Sequence, residues 1–376
     1  MKLLNRLKEF FLRELMLCIC AVIALLSMLL VPPSAAYLDY IDLQVLCLLF
    51  CLMAVVLGIQ ECGLFKVLAH KMLTGKKQFR LLSLILVLLP FFCSMLVTND
   101  VAIITFVPFT ILVLNMIDRN SALIKIVVYQ TLAANLGSMA TPIGKAHNLF
   151  LYEYYGISAG EFFSVMLPLS LISLIGLSAA ALIAKNDVIS VSFESDERLE
   201  DPKRLAMFLG LFILSLLSVF RVLPYWIPTA AVLICMLCFS RKLLKKVDYA
   251  LLLTFVCFFI FAGNIGQVPQ VRELLSRMLR RDTLLSAILA SQIVSNVPAS
   301  LLLSGFTDDW RSLLVGVNIG GLGTPIASLA SLISLKMYLR TDGARPLRYL
   351  GIFTLANVTG IFVLLLSVWL ISAITV

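Results

Sequence analysis

The chain has 376 residues, 61% of them hydrophobic and 14% charged, with a mean hydropathy of +1.03. Soluble domains run about 45–50% apolar and about 25% charged. The sequence is therefore that of an all-α polytopic membrane protein without room for a large soluble domain, and its continuous apolar runs exclude an outer-membrane barrel. The net charge of +9 comes from Lys and Arg in short loops, the positive-inside pattern, and is no sign of nucleic-acid binding. The nine cysteines are scattered through apolar segments, and Cys235-Met-Leu-Cys238, in mid-helix, is packing rather than redox or metal chemistry.

About 20 apolar residues span a bilayer. The basic start, Lys2 to Arg13, precedes the run Leu15–Val31. This run is an uncleaved first span leaving the cytoplasm, despite a faint cleavage-like Ser34-Ala35-Ala36. The loop to Asp42 lacks Lys and Arg and belongs outside; Leu43–Cys62 returns inward. Gly63–Arg80, with Lys66, His70, Lys71, Lys76, Lys77 and Arg80, begins as an amphipathic segment at the cytoplasmic surface. Leu81–Leu96 and Val101–Ile117 are arms around a polar tip, Thr98-Asn99-Asp100. Ser121–Tyr155 is a long helix broken in the middle, and Phe162–Lys185 comes back in. The acidic stretch Asn186–Arg204 is a soluble connector.

Leu205–Leu223 crosses outward, Trp226–Ser240 returns to Arg241, Lys242, Lys245 and Lys246, and Leu251–Gly266 crosses outward again. Val271–Arg281, basic and amphipathic on the outer side, is the one loop against the positive-inside pattern. A second hairpin, Thr283–Val294 and Pro298–Phe306, surrounds Ser295-Asn296-Val297. A second broken helix, Arg311–Leu339, leads to cytoplasmic Arg340, Arg345 and Arg348. Tyr349–Val376 is the last span. The N-terminus is then cytoplasmic and the C-terminus outside.

The breaks carry matching motifs. Asn135-Leu-Gly-Ser-Met-Ala-Thr-Pro-Ile143 and Asn318-Ile-Gly-Gly-Leu-Gly-Thr-Pro-Ile326 share N-x-G-x3-T-P-I at an offset of 183. Pro142 and Pro325 lack an N–H and clash with the carbonyl four residues back, so a helix stops there. Gly137 and Gly320 let backbone approach a bound group closely. The tips Val97-Thr-Asn-Asp-Val-Ala102 and Val294-Ser-Asn-Val-Pro-Ala299 also match, at an offset of 197. The arms of the second hairpin, about 15–18 Å long at 1.5 Å per residue, cannot cross a core of about 30 Å, so both hairpins are expected to be re-entrant. Each half reads helix, helix, hairpin, broken helix, helix, and one linking helix inverts the second. The expected organisation is a first repeat over residues 1–185 (hairpin 81–117, broken helix 121–155), a connector and linking helix over 186–224, and a second repeat over 225–376 (hairpin 283–306, broken helix 311–339). Paired breaks in inverted halves mark a transporter's binding site.

An amide in hydrocarbon costs several kcal/mol unless paired, which makes Asn99 and Asn296 the leading candidates. With Thr141 and Thr324 they offer neutral oxygens of the kind hard cations prefer, and half-helix N-termini attract an anion. Asp100 is the only acid at either tip, and an ionisable group at membrane depth is functional by default. Lys145 and His147 follow the first break without charged counterparts after the second; Lys145 either contacts an anion, stands in for a cation or snorkels to an interface. The chain has no G-x4-G-K-[ST], H-E-x-x-H or G-x-S-x-G, so no enzyme motif is present.

These motifs, Val97–Ala102, Asn135–Asn148, Val294–Ala299 and Asn318–Ile326, resemble those of the ion transporter superfamily. It includes the divalent-anion/sodium symporters, the citrate-transporter-like permeases, the arsenite-efflux permeases and a class of sodium/proton antiporters. The nearest look is to bacterial citrate-transporter-like permeases. The resemblance implies an elevator-type homodimer with a scaffold and a moving transport domain, its tips and breaks holding substrate and sodium. In the dicarboxylate symporters both tips read Ser-Asn-Thr, whereas here they read Thr98-Asn99-Asp100 and Ser295-Asn296-Val297. The former is closer to the arsenite and antiporter branches. Related permeases tend to read Gly-Asn-Pro-Gln-Asn after the first break, where this chain reads Gly144-Lys-Ala-His-Asn148. The expectation is a secondary transporter of a small di- or tricarboxylate-like anion in the cytoplasmic membrane, coupled to sodium or protons and needing no cofactor. The alternative is an arsenite-efflux permease or a sodium/proton antiporter. Its expected site comprises Thr98, Asn99, Asp100, Asn135, Gly137, Thr141, Pro142, Lys145, Asn148, Ser295, Asn296, Asn318, Gly320, Thr324 and Pro325, with sodium at Asn99, Thr141, Asn296 and Thr324.

Overall fold

A computed structural model describes residues 15–34, 37–183, 187–191, 199 and 201–375. The basic N-terminal start, Ala35-Ala36, most of the acidic connector and Val376 lie outside the described residues. The described part is helical apart from one short strand pair. In chain order, α1 is Leu15–Met28, α2 Tyr37–Tyr40, α3 Leu43–Glu61 and α4 Leu64–Leu73; then come β1, Gly75–Gln78, α5, Phe79–Cys93, and α6, Asn99–Met116. The first broken helix is α7, Leu123–Gly137, and α8, Ala146–Tyr154, followed by α9, Ala159–Leu182, and β2, Val188–Val191. Next come α10, Pro202–Val219, α11, Trp226–Phe239, α12, Arg241–Leu244, α13, Tyr249–Gly266, and α14, Pro269–Arg281. The second hairpin is α15, Thr283–Val294, and α16, Asn296–Ser304; α17, Trp310–Gly320, and α18, Leu329–Leu339, form the second broken helix, and α19, Pro346–Thr375, ends the chain.

The helices start where the sequence caps them. The Asp42 carboxylate accepts from the Val45 N–H at 3.0 Å, Asp201 from Lys203 and Arg204, and Asp282 from Leu285, each satisfying a donor that a helix start leaves open. Ser158 and Glu161 form a reciprocal capping box at α9. Among the described residues, seven helical stretches are long and apolar enough to cross a membrane, so this is a multi-pass membrane protein.

Two layers of polar contacts mark opposite ends of the bundle. At one end, Glu61 bridges Arg204 and Lys246, both at 2.8 Å. At the other end of α3, Gln44 donates to Glu153 at 2.8 Å, and Arg221, beyond the far end of α10, lies 3.6 Å from the same carboxylate. The Tyr155 hydroxyl there donates to the carbonyls of Ser304 and Thr307. Both ends of the first hairpin meet on one side: the Arg119 guanidinium, past the end of α6, stacks over the Phe79 ring that opens α5, 5.5 Å from its centroid, and pairs with Asp187 at 2.6 Å.

Several expectations change in detail. Gly75–Gln78 and part of the connector form an antiparallel pair, Gly75 opposite Val191 and Gln78 opposite Val188, where a cytoplasmic surface segment and a soluble connector were expected without a strand. Ile189 and Val191 are buried while Val188 and Ser190 are exposed, the two-residue period of a half-buried strand. The hairpin tips are also tighter than expected. The second arms start at Asn99 and Asn296, so Asn99, Asp100 and Asn296 occupy first helical turns rather than loops. The arms of the second hairpin are 12 and 9 residues long, about 18 and 14 Å.

Packing between spans is close. A Cβ on Gly58 of α3 would lie 2.4 Å from the Phe208 ring of α10, the kind of small-residue contact that brings membrane helices together. Gly58→Val is expected to cost about 1–3 kcal/mol by overpacking. Glu61→Gln, at a partly exposed ion pair, should cost less than about 1 kcal/mol. Thermal unfolding of the purified variants checks the order; the reverse order would show that the ion pairs, not this seam, hold α3 in place.

Candidate functional site

Each long helix stops for a local reason. α7 runs to Gly137, continues as a 3-10 turn over Ser138–Ala140 and gives way to extended backbone at Thr141 (φ −129°, ψ 152°). α8 restarts after Lys145 (φ −141°, ψ 141°). α17 ends at Gly320, Pro325–Ala327 makes a 3-10 turn, and α18 restarts after Ser328 (φ −144°, ψ 136°). The two glycines admit neighbouring helices. A Cβ on Gly137 would sit 2.1 Å from the Phe91 carbonyl oxygen of α5, and one on Gly320 would sit 2.7 Å from Ser291 Cβ of α15. The close approach is hairpin against broken helix in both halves.

The hairpin tips reach into the breaks. The Asn99 N–H donates to the Gly144 carbonyl at 3.3 Å. Thr141 Oγ1 donates to the Met95 carbonyl at 2.5 Å and accepts from the Gly144 N–H at 3.1 Å. Asn148 Nδ2 donates to the Thr141 carbonyl at 3.2 Å. In the second half the Ser295 hydroxyl donates to the Ala327 carbonyl at 3.2 Å. Ser295 holds φ 73°, ψ 158°, a conformation close to glycine-only that costs about 1–3 kcal/mol and collects at functional sites.

The halves also cross. Asn99 Nδ2 donates to Asn135 Oδ1 at 2.9 Å, and the Ser328 hydroxyl donates to the same oxygen at 3.0 Å. Asn135 Nδ2 donates to Ser331 Oγ at 3.3 Å. From the other side, Asn318 Nδ2 donates to Asn148 Oδ1 at 2.7 Å. A polar seam continues through Thr131, whose hydroxyl donates to Ser334 at 2.6 Å, and on to the Tyr349 hydroxyl 3.0 Å further. Lys145, His147 and Asn148 are buried beside it. Lys145 Nζ, both ring nitrogens of His147, Asp100 Oδ1 and Asn318 Oδ1 are enclosed without a hydrogen-bond partner among the described residues.

Of the residues singled out by sequence, Asn99, Asn135, Asn148, Asn318 and Lys145 thus come together with Asp100 and Thr141 at the first break. Asn296 is buried at the second tip, its amide nitrogen beside Gly321. Pro142 is buried in the first break and Thr98 caps α6 without a side-chain bond. Thr324 is exposed and enters through its backbone alone, its N–H donating to Gln292 Oε1 at 2.9 Å; Pro325, beside it, starts the 3-10 turn. The four residues expected to hold sodium are therefore placed unequally: the Thr141 hydroxyl is engaged twice, and Thr324 is exposed. Among the described residues no three His, Cys, Asp or Glu side chains gather as a metal site.

A citrate transporter family profile matches residues 9–307, most of the chain. The chain belongs to the citrate transporter family. Relatives of this citrate transporter family member include an uncharacterized transporter of Methanocaldococcus jannaschii, 32% identical over 77% of this chain and 79% of the relative. The inner membrane protein YbiR of Escherichia coli is 30% identical over 79% of this chain and 80% of its own. A 46 kDa membrane protein of Mycobacterium leprae is 25% identical over 79% of each. The protein is accordingly a membrane transporter and not an enzyme.

Sequence reasoning missed several polar residues of this family member. The offset of 183 carries Lys145 to Ser328 and Asn148 to Ser331, so extending the repeat past T-P-I would have found both serines. Gln292 carried no such signal. Its Nε2 donates to the Gly320 and Leu322 carbonyls at 2.7 and 3.0 Å, and its Oε1 accepts from Thr324, so one amide satisfies three backbone groups freed by the second break. Gln292→Leu is expected to cost about 1–3 kcal/mol by orphaning them, read as a lower Tm of the purified protein. An unchanged Tm would mean that other groups satisfy the break.

Proposed function

We propose that the protein is a secondary active transporter of a small di- or tricarboxylate-like anion in the cytoplasmic membrane, driven by sodium or protons. The observation that carries this reading is the crossing: each half's tip and first half-helix meet the second half-helix of the other half. Membrane proteins tolerate irregular backbone only where it is buried or lines a cavity, and breaks in matching halves are the hallmark of transporter binding sites.

In this reading residues 1–185 and 225–376 are inverted repeats joined by 186–224, with a cytoplasmic N-terminus and an outer C-terminus. The two hairpins are re-entrant, one from each face. The short arms of α15 and α16 support this for the second hairpin, and the matching tip supports it for the first. The site is formed by Thr98, Asn99, Asp100, Asn135, Thr141, Lys145, Asn148, Ser295, Asn296 and Asn318, with Gly137, Pro142, Gly320, Thr324 and Pro325 shaping it. The half-helix starts at Ala146 and Leu329 supply N–H groups and positive dipole ends for an anion. The protein works as a homodimer whose hairpins and broken helices move as one body against the remaining helices.

A second reading, export of arsenite or exchange of sodium for protons, is favoured by one observation. Asp100, in the first turn of α6, is the one acid at either tip. Arsenite or sodium sensitivity of a strain lacking the protein would select it.

Proteoliposome uptake of labelled citrate and succinate under a sodium or proton gradient tests the first reading. Asn99→Ala and Asn296→Ala should each lower uptake by about tenfold or more, the equivalent of about 1.4 kcal/mol, in variants that remain monodisperse in detergent. Uptake like that of the unmodified protein in both variants would remove the tips from the site.

A further inference from the structure

The two breaks are built alike but satisfied unequally. The offset of 183 carries Asn135 to Asn318, Lys145 to Ser328 and Asn148 to Ser331, and the tip offset of 197 carries Asn99 to Asn296. Geometry follows the same correspondence. Lys145 and Ser328 precede their half-helices with nearly the same backbone, φ −141° and −144°, ψ 141° and 136°. Asn135 donates to Ser331 at 3.3 Å as Asn318 donates to Asn148 at 2.7 Å. The correspondence defines two crossed quartets: Asn99, Asn135, Ser328 and Ser331, and Asn296, Asn318, Lys145 and Asn148, the second joined by the bond from Asn318 to Asn148.

The first quartet satisfies itself. Asn135 Oδ1 receives both the Asn99 amide and the Ser328 hydroxyl, at 2.9 and 3.0 Å. In the second quartet, Asn318 Oδ1 and Lys145 Nζ are both enclosed without a hydrogen-bond partner among the described residues, as are both nitrogens of the neighbouring His147. Lys145 is 2% exposed, so it does not snorkel to an interface. It also sits at the wrong end of a helix for a cation. It precedes the first turn of α8, where the free N–H groups and the helix dipole are positive and attract anions. The nearby carboxylate, Asp100, makes no ion pair with it, and Asp100 Oδ1 is likewise without a partner. A buried ammonium is kept only when something negative reaches it.

We propose that the anion is bound asymmetrically: the second quartet takes a substrate carboxylate at Lys145 Nζ and the N-terminus of α8, while the first quartet, already paired within itself, lines the site without holding the carboxylate. Lys145 supplies at that quartet the positive charge that a coupling cation would otherwise bring, so anion binding does not require sodium. This rests on the reading of the protein as an anion transporter.

The test uses the purified full-length protein, with citrate and succinate as probes, in sodium chloride and in choline chloride. Calorimetric titration gives Kd and thermal unfolding gives Tm. The unmodified protein should bind at least one probe equally in both salts. Lys145→Ser, the side chain that the other quartet carries on the same backbone, should bind about tenfold more weakly or worse. Lys145→Arg should keep measurable binding. The inference is overturned if the unmodified protein binds only in sodium, or if Lys145→Ser binds within about twofold of it. A lowered Tm in Lys145→Ser with unchanged Kd would likewise reduce Lys145 to a structural residue. In each of those cases the anion-transport reading stands. If neither probe binds the unmodified protein in either salt and neither is taken up by proteoliposomes, both ideas fall together.

Discussion

A helix that stops inside a bilayer leaves backbone amides and carbonyls that lipid cannot satisfy. This protein ends two helices, at Gly137 and Gly320, and starts two more, at Ala146 and Leu329, and the rest of the structure follows from supplying partners for those four ends. At the first break Asn148 covers the Thr141 carbonyl and Thr141 covers the Gly144 N–H. At the second, Gln292 covers two carbonyls and one N–H. Partners come from hairpin tips because a tip can present side chains and open backbone at the same depth. The opposite half adds side-chain bonds, from Ser328 and to Ser331 at Asn135, and from Asn318 to Asn148. Each half satisfies the backbone of its own break, and the side chains at the breaks tie the halves together.

The glycines make this possible at short range. Gly137 and Gly320 each remove a Cβ that would collide with the adjacent hairpin, so hairpin and broken helix pack backbone to backbone. Lipid offers no hydrophobic drive between helices, and such contacts rely on close van der Waals fit and on interhelical hydrogen bonds. The same economy appears away from the centre, where Gly58 admits Phe208 and Gly263 admits Tyr40. The first hairpin is tied to the first broken helix by Gln130, whose amide donates to both the Leu86 carbonyl and Thr110. A unit tied in this way is suited to move as a body, as the proposed mechanism requires.

Much of this was legible in the sequence, for a physical reason. Spans announce themselves by apolar length, and proline with glycine in an apolar run has few uses other than a break. The repeat of N-x-G-x3-T-P-I located both breaks, and the short arms of the second hairpin were visible from residue counts alone. What escaped was non-local. The pairing of Gly75–Gln78 with Val188–Val191 joins segments over a hundred residues apart, and neither is long enough to announce a strand. Ser328 and Ser331 look like ordinary small residues of a membrane helix until Asn135 is placed opposite them. Gln292 sits in a helix where an amide could equally point to a neighbour or to water. The start of α6 at Asn99 rather than Val101 shows the same limit, since helix starts depend on which tip residues find partners.

The most direct measurement is amide hydrogen exchange of the purified protein with and without citrate, read at residues 141–148 and 318–324. If the crossed halves form one anion site, exchange at both stretches slows together when citrate is added, because ordering one break requires the partner that the other supplies. Slowing at neither stretch, or at one alone, would contradict a single site shared between the halves.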